Sequence, residues 1–282
     1  MKKQILSLLL ISALCLPACG REPTVPETTA EITTEEQTTV PEPTTLPADR
    51  AGESVYQEHP ELTPVDYDSP ALLPKTPDAG QKYIDGITFL CDSPCYWLKL
   101  YGLLSDGYDT KQVWTGKEGT MTLAYLRGFP ILDPIDGVER TIPETVAAHK
   151  PPMILITVGV NGVAFMDEAY FTEEYENLIG EIQKASPKTE IVLQSILPIT
   201  PRYRGWGDIT NATITEANSW MLKIAEKHSL YYLDSFSCLL AEDGNADPEL
   251  MQSDGLHPNK EGLTRVLNYI RRHSAPSARM KK

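Results

Sequence analysis

The apolar positions change period along the chain, and those changes mark its parts. Ile5 to Leu16 form a predominantly apolar run of about a dozen residues. Residues 21–50 show no period: Thr, Glu and Pro dominate and aromatic side chains are absent. Residues 51–80 stay Pro-rich and acidic, but Val55, Tyr56, Leu62, Val65, Tyr67, Leu72 and Leu73 return, so this stretch is expected to wrap a domain surface without regular structure. From Tyr83 onward short apolar runs alternate with helical spacing. Strands are predicted at 84–91, 111–114, 153–160, 190–197 and 230–233, and a hairpin at 129–142 turning at Asp136-Gly137. Helices are predicted at 94–104, 120–126, 143–149, 168–185, 213–228 and 260–272. The run MILITVGV at 153–160 is the most apolar, as suits a strand buried on both faces of a parallel sheet. Strands alternating with helices of this length predict an α/β fold with a mostly parallel central sheet, joined by right-handed crossovers. In such sheets functional groups gather beyond the C-terminal ends of the strands.

The early segments predict export and tethering. Lys2 and Lys3 precede the first apolar run, which is too short to span a bilayer at about 20 residues but suits a secretory signal. It ends in Leu16-Pro17-Ala18-Cys19, which resembles the bacterial lipobox, with Cys19 as the lipidated residue. Residues 1–19 are therefore expected to be a lipoprotein signal. Residues 20–80 are expected to form a disordered tether, because so few apolar groups cannot offset the entropy of ordering. The domain is assigned to 81–275 and a basic tail to 276–282. Acyl chains on Cys19 would hold the protein on the outer face of a membrane.

Charge sharpens this division. The 282 residues carry a formal net charge of −14. From Gly20 to Gly80 there are 13 acidic and 3 basic residues, a net of −10, so the acidity belongs mainly to the tether. The balance excludes nucleic acid as a partner, since phosphate binding needs clustered Lys and Arg.

Three segments stand where strand-end chemistry is expected. Phe89-Leu90-Cys91-Asp92-Ser93 runs from a strand into a helix. Thr157-Val158-Gly159-Val160-Asn161-Gly162 ends the central strand. Ser253-Asp254-Gly255-Leu256-His257-Pro258-Asn259 precedes the last helix. A serine hydroxyl needs a neighbouring base, and that base needs an orienting acceptor. Asp254 and His257, three residues apart in a Gly- and Pro-bearing loop, can supply orienter and base. The second ring nitrogen of His257 is then free to face Ser93. Histidine titrates near ~6.5, which suits it to take and return a proton at neutral pH.

This order of a Ser, a Gly, an Asn and D-x-x-H resembles the SGNH (GDSL-like) hydrolases, and more narrowly their secreted lipoprotein members from Gram-positive bacteria. The likeness covers about Asp78 to His273. It implies a flavodoxin-like three-layer α/β/α sandwich and a serine esterase forming an acyl-enzyme. Ser93 matches the nucleophile of the family's G-D-S block, and Asp254, His257 and Pro258 match its D-x-x-H-P. The oxyanion hole implied is the Ser93 and Gly119 N–H groups and the Asn161 side chain, with Gly116 as the alternative glycine. No cofactor and no metal are implied. The partners implied are an ester-bearing small molecule or polysaccharide, acetyl esters of carbohydrates among them. No G-x-S-x-G elbow is present. Two positions depart from the family: Cys91 stands where it has Gly, and Gly162 where many members have Asp. They motivate the alternative of an inactive surface binding lipoprotein on the same scaffold.

The remaining candidates are bland. His149 and His228 end predicted helices, where a cation suits the dipole. His59 and His273 join no cluster of Cys or His at metal spacing. With Cys19 lipidated, Cys91, Cys95 and Cys238 leave an odd count, and a Cys91–Cys95 disulfide stays open. Trp97, Trp114, Tyr203 and Trp206 line a cleft or pack the core. A mobile tether favours a monomer.

Overall fold

The computed structural model describes residues 65–276, apart from 67, 127, 206 and 208. The signal segment with Cys19, the tether through residue 64 with His59, Trp206, and the tail beyond residue 276 lie outside the described residues.

The chain order is α1 (Gln81–Asp85), β1 (Ile87–Cys91), α2 (Ser93–Leu100), β2 (Val113–Trp114), β3 (Pro130–Leu132), β4 (Glu139–Thr141), α3 (Ile142–His149), β5 (Met153–Thr157), α4 (Glu168–Ala185), β6 (Glu190–Gln194), α5 (Asn211–Lys227), β7 (Tyr231–Leu233) and α6 (Lys260–Arg272). Five strands form one sheet in the order β2-β1-β5-β6-β7, and every pairing is parallel. In chain order of the sheet's own strands this is 2-1-3-4-5, the doubly wound order whose switch point falls between the first and third strands. Here those strands are β1 and β5, aligned from Ile87 against Met153 to Cys91 against Thr157.

The sheet is covered on both faces because successive side chains of each strand point to opposite sides. Leu90, Ile154, Ile156, Ile191 and Leu193 join α3, α4 and α5 in one apolar cluster. Ile87, Phe89, Cys91, Met153, Leu155 and Val192 join α1, α2 and α6 in the other. All five residues of β5, four of them apolar, are buried, as suits the centre of a parallel sheet.

Local chemistry sets the ends. Thr141 and Glu144 form a capping box at the start of α3, and Thr210 and Thr213 do the same at α5. The predicted helix at 120–126 shortens to a 3-10 turn, Leu123–Tyr125. The predicted first strand loses residues 84–86, because Ile84 sits in the one-turn helix α1 and is fully buried there. The hairpin β3–β4 forms with Gly137 at φ 76°. Residues 69–79 pack onto the domain, closer than a loose wrap. Leu72 bridges Tyr232 at the sheet edge, Leu73 is buried, and Asp78 pairs with Arg271 of α6 at 2.5 Å.

Candidate active site

The end of β1 turns at Asp92 into α2, whose first residue is Ser93. Across the sheet top, the loop before α6 carries Asp254 and His257. Asp254 Oδ1 accepts the backbone N–H groups of Leu256 at 2.9 Å and His257 at 3.0 Å. That turn leaves Oδ2 free to reach His257 Nδ1 at 2.7 Å, and His257 Nε2 lies 3.0 Å from Ser93 Oγ. The spacing of three residues works because one carboxylate oxygen closes the turn while the other holds the ring that the turn presents. Asn259 then caps α6 through the Gly262 N–H at 3.0 Å, fixing the far end of the loop.

Burial raises the Asp254 carboxyl, but the hydrogen bond from His257 and the N–H groups of His257 and Leu256 outweigh it, leaving the group below its ordinary range. The carboxylate therefore stays ionised at neutral pH, as an orienter of imidazole requires. Trp97 of α2 and Tyr101, the residue that caps its C-terminal end, flank this pair. The Trp97 ring centroid is 6.1 Å from that of His257. Burial, then the Asp254 charge, raises the Tyr101 phenol.

The oxyanion candidates are placed differently from the three side chains above. Asn161 follows the end of β5, beside the Ser93 turn by strand pairing. Its Nδ2 donates to Thr120 Oγ1 and to Met121 O, each at 2.9 Å, so both amide protons are engaged. The Gly119 N–H donates to Gly116 O at 2.9 Å. Gly119 has φ 73°, and a Cβ there would meet the Tyr96 ring at 2.4 Å, so any other residue strains the turn and displaces that ring. Gly116 is buried in the same turn, where a Cβ would lie 2.3 Å from Thr120 O.

Other sequence candidates separate cleanly. Trp97 stands at the site, whereas Trp114 is 1% exposed and packs edge-on against His149. Tyr203 is half-buried, in a loop that meets Gly255: Thr200 N–H bonds Gly255 O at 2.9 Å. Cys91, Cys95 and Cys238 are free and buried. Burial raises the thiol of Cys91 and pushes that of Cys95 up to about 12, so neither is a nucleophile. Among the described residues, donor atoms of Asp133, Asp136 and His149 come close enough together for an ion. Arg140 occupies that position instead, bonded to Asp133 at 2.7 Å and to Asp136 at 2.8 Å.

One site residue was missed by sequence reasoning. Asp92 is 2% exposed, and its Oδ2 accepts the N–H groups of Gly159 at 3.0 Å and Val160 at 3.2 Å. The available signals were its position between a strand and a serine and its match to the D of the G-D-S block.

Comparisons with known proteins bear on the family and not on the site residues. No curated protein matches the chain. Among solved structures, it is similar to a protein from Streptococcus pneumonia provisionally described as a platelet activating factor, at 21% identity and TM-score 0.49, covering 66% of this chain and 81% of that one. A provisionally assigned acylhydrolase from Bacteroides fragilis gives 17% identity and TM-score 0.48, covering 74% and 91%. A carbohydrate esterase family 3 protein from Talaromyces cellulolyticus gives 16% identity and TM-score 0.42, covering 65% and 93%. The sequence profile of the GDSL-like lipase/acylhydrolase family matches residues 92–265, a span that runs from Asp92 to beyond His257. With more than half of the chain matched, the protein belongs to the GDSL-like lipase/acylhydrolase family.

Proposed function

We propose that the protein is a serine esterase in which Ser93 is the nucleophile, His257 the general base and acid, and Asp254 the orienter of His257. The observation that carries this reading is the unbroken hydrogen-bond chain from Asp254 Oδ2 through the imidazole to Ser93 Oγ, at 2.7 and 3.0 Å. With Asp254 holding the proton on Nδ1, Nε2 takes the Ser93 proton as Oγ attacks an ester carbonyl. The imidazolium then protonates the leaving alcohol. Water, deprotonated by the same nitrogen, attacks the acyl-enzyme, releases the acid and restores Ser93.

The oxyanion would be met by the Ser93 N–H, at the open end of α2 where first-turn N–H groups lack intrahelical acceptors, and by Asn161 Nδ2. Asn161 would exchange its bond to the exposed Thr120 hydroxyl for the oxyanion and keep the one to Met121 O. The Gly119 N–H would join them on leaving Gly116 O.

The chain is further proposed to act on the outer face of a Gram-positive cell membrane, tethered through lipidated Cys19. The order of apolar run, Ala18, Cys19 and Gly20 supports this. Retention in the membrane fraction of wild type but not of Cys19→Ala tests the anchor. The esterase reading is tested by hydrolysis of short-chain nitrophenyl esters and fluorophosphonate labelling, with Ser93→Ala as the control. Turnover and labelling in wild type alone are expected. Absence of both in wild type would replace the reading with that of a binding protein on a hydrolase scaffold.

A further inference from the structure

Asp92 is the N-cap residue of α2, with the extended backbone that position requires, φ −86° and ψ −170°. An aspartate there ordinarily accepts an N–H from its own helix, a contact that stabilises by about 1 kcal/mol. Asp92 makes no such bond. Its carboxylate turns the other way, under the sheet top, and takes the N–H groups of Gly159 and Val160. A carboxyl 2% exposed is costly to bury, and two N–H groups offset only part of that cost. Burial still holds the group up at about 7. A residue that forgoes its cap and accepts burial is placed for what it holds.

What it holds is the two residues before Asn161. The turn is gripped from several sides: the Tyr175 hydroxyl donates to Val158 O, and Gly162 and Val163 N–H close onto Gly159 O at 2.8 and 2.9 Å. Gly159 has φ 152°, and a Cβ there would meet Ile196 Cδ1 at 2.7 Å, so only glycine lets this strand end sit so deep. Of these grips, Asp92 alone comes from the nucleophile's own turn, one peptide from Ser93.

We propose that Asp92 is a positioning residue that locks the Asn161 turn to the Ser93 turn, so that nucleophile and oxyanion donor move as one body. This rests on the esterase reading above and deepens it. An interaction of this kind acts on the transition state and leaves ground-state binding alone. Two variants separate it from a purely structural role. Asp92→Ala removes the acceptor and is expected to lower kcat roughly 100-fold, the scale of one lost oxyanion donor, with KM within about threefold. Asp92→Asn retains a carbonyl oxygen of the same reach and is expected to recover kcat to within about tenfold of wild type.

The experiment measures kcat and KM on a nitrophenyl ester for the purified full protein and both variants, with amide hydrogen exchange at Gly159 and Val160. Faster exchange at those two amides in the Ala variant, slower exchange restored by Asn, and a kcat that follows them support the proposal. An Ala variant within threefold of wild-type kcat, or one whose kcat falls while both amides stay protected, overturns it. If the Ala variant does not fold, an Asn variant with wild-type exchange and a 100-fold lower kcat overturns it equally. A wild type inert towards every ester overturns the esterase reading instead, and the exchange measurement then decides alone whether Asp92 clamps the turn.

Discussion

Replacing Asp254 with Asn should be more damaging than deleting its side chain, and the geometry says why. Oδ1 accepts two backbone N–H groups, from Leu256 and His257, while Oδ2 accepts from His257 Nδ1. An asparagine has one carbonyl oxygen. The two N–H donors hold it at the Oδ1 position, so the amide NH2 takes the place of Oδ2 and points at Nδ1. Two donors cannot face each other, so Nδ1 must become the acceptor and the neutral ring carries its proton on Nε2. That proton faces Ser93 Oγ at 3.0 Å, and Nε2 can no longer take the serine proton. A wrong tautomer of this kind lowers kcat about 10⁴-fold, or about 5.5 kcal/mol of barrier. Asp254→Ala loses the orienter but leaves the tautomer free, so its loss should be smaller. The assay is kcat/KM for nitrophenyl acetate at pH 7.5 in the three proteins. An Asn variant within tenfold of wild type, or an Ala variant clearly worse than the Asn one, would refute the argument.

Two further outcomes follow from named geometry. Gly119→Ala must hold alanine at φ 73°, which costs about 1–2 kcal/mol, and must displace the Tyr96 ring. Thermal unfolding should fall accordingly and turnover should drop. Adding Tyr96→Ala should relieve the contact and leave the backbone cost, and an unchanged melting curve in Gly119→Ala would contradict this. Asp92 gives a pH signature in stability. Its carboxyl is raised from 3.8 to about 7 by burial, and its titratable neighbours Cys91, Cys95 and Tyr175 are all held protonated by burial. Between those values the folded state keeps a proton that the unfolded state releases, so stability falls as pH rises from about 4 to about 7 and levels off above. Denaturant unfolding of wild type should lose about 3 kcal/mol relative to Asp92→Asn between pH 4.5 and 8. Equal differences at both pH values would show that Asp92 does not titrate in that range.

Much of this protein was written in its local sequence. The apolar run at 153–160 suits a strand buried on both faces, and its first five residues are the fully buried β5. The helices 168–185 and 260–272 were legible to the residue, because each shows a clear apolar stripe between a capping Asp or Asn and a basic last turn. Asp254 and His257 were legible as a pair because their contact is made within one loop of four residues. Ser93 could be named from a strand–helix junction, but its 3.0 Å approach to His257 spans 164 positions of chain and exists only because β1 lies at the switch point of the sheet. The same is true of what the sequence concealed. A lone Asp before a helix reads as a cap, and only the β1–β5 pairing brings Gly159 and Val160 within reach to draw it away. Gly119 reads as an available N–H, and only the folded turn shows that N–H on Gly116 O. Trp97 and Trp114 have the same chemistry in sequence, and packing alone sends one to His257 and the other into the core. Periodicity and capping are local properties and survive in the order of residues. Which donor meets which acceptor across a sheet is decided by strand order, and strand order is settled only when the whole apolar surface is buried at once.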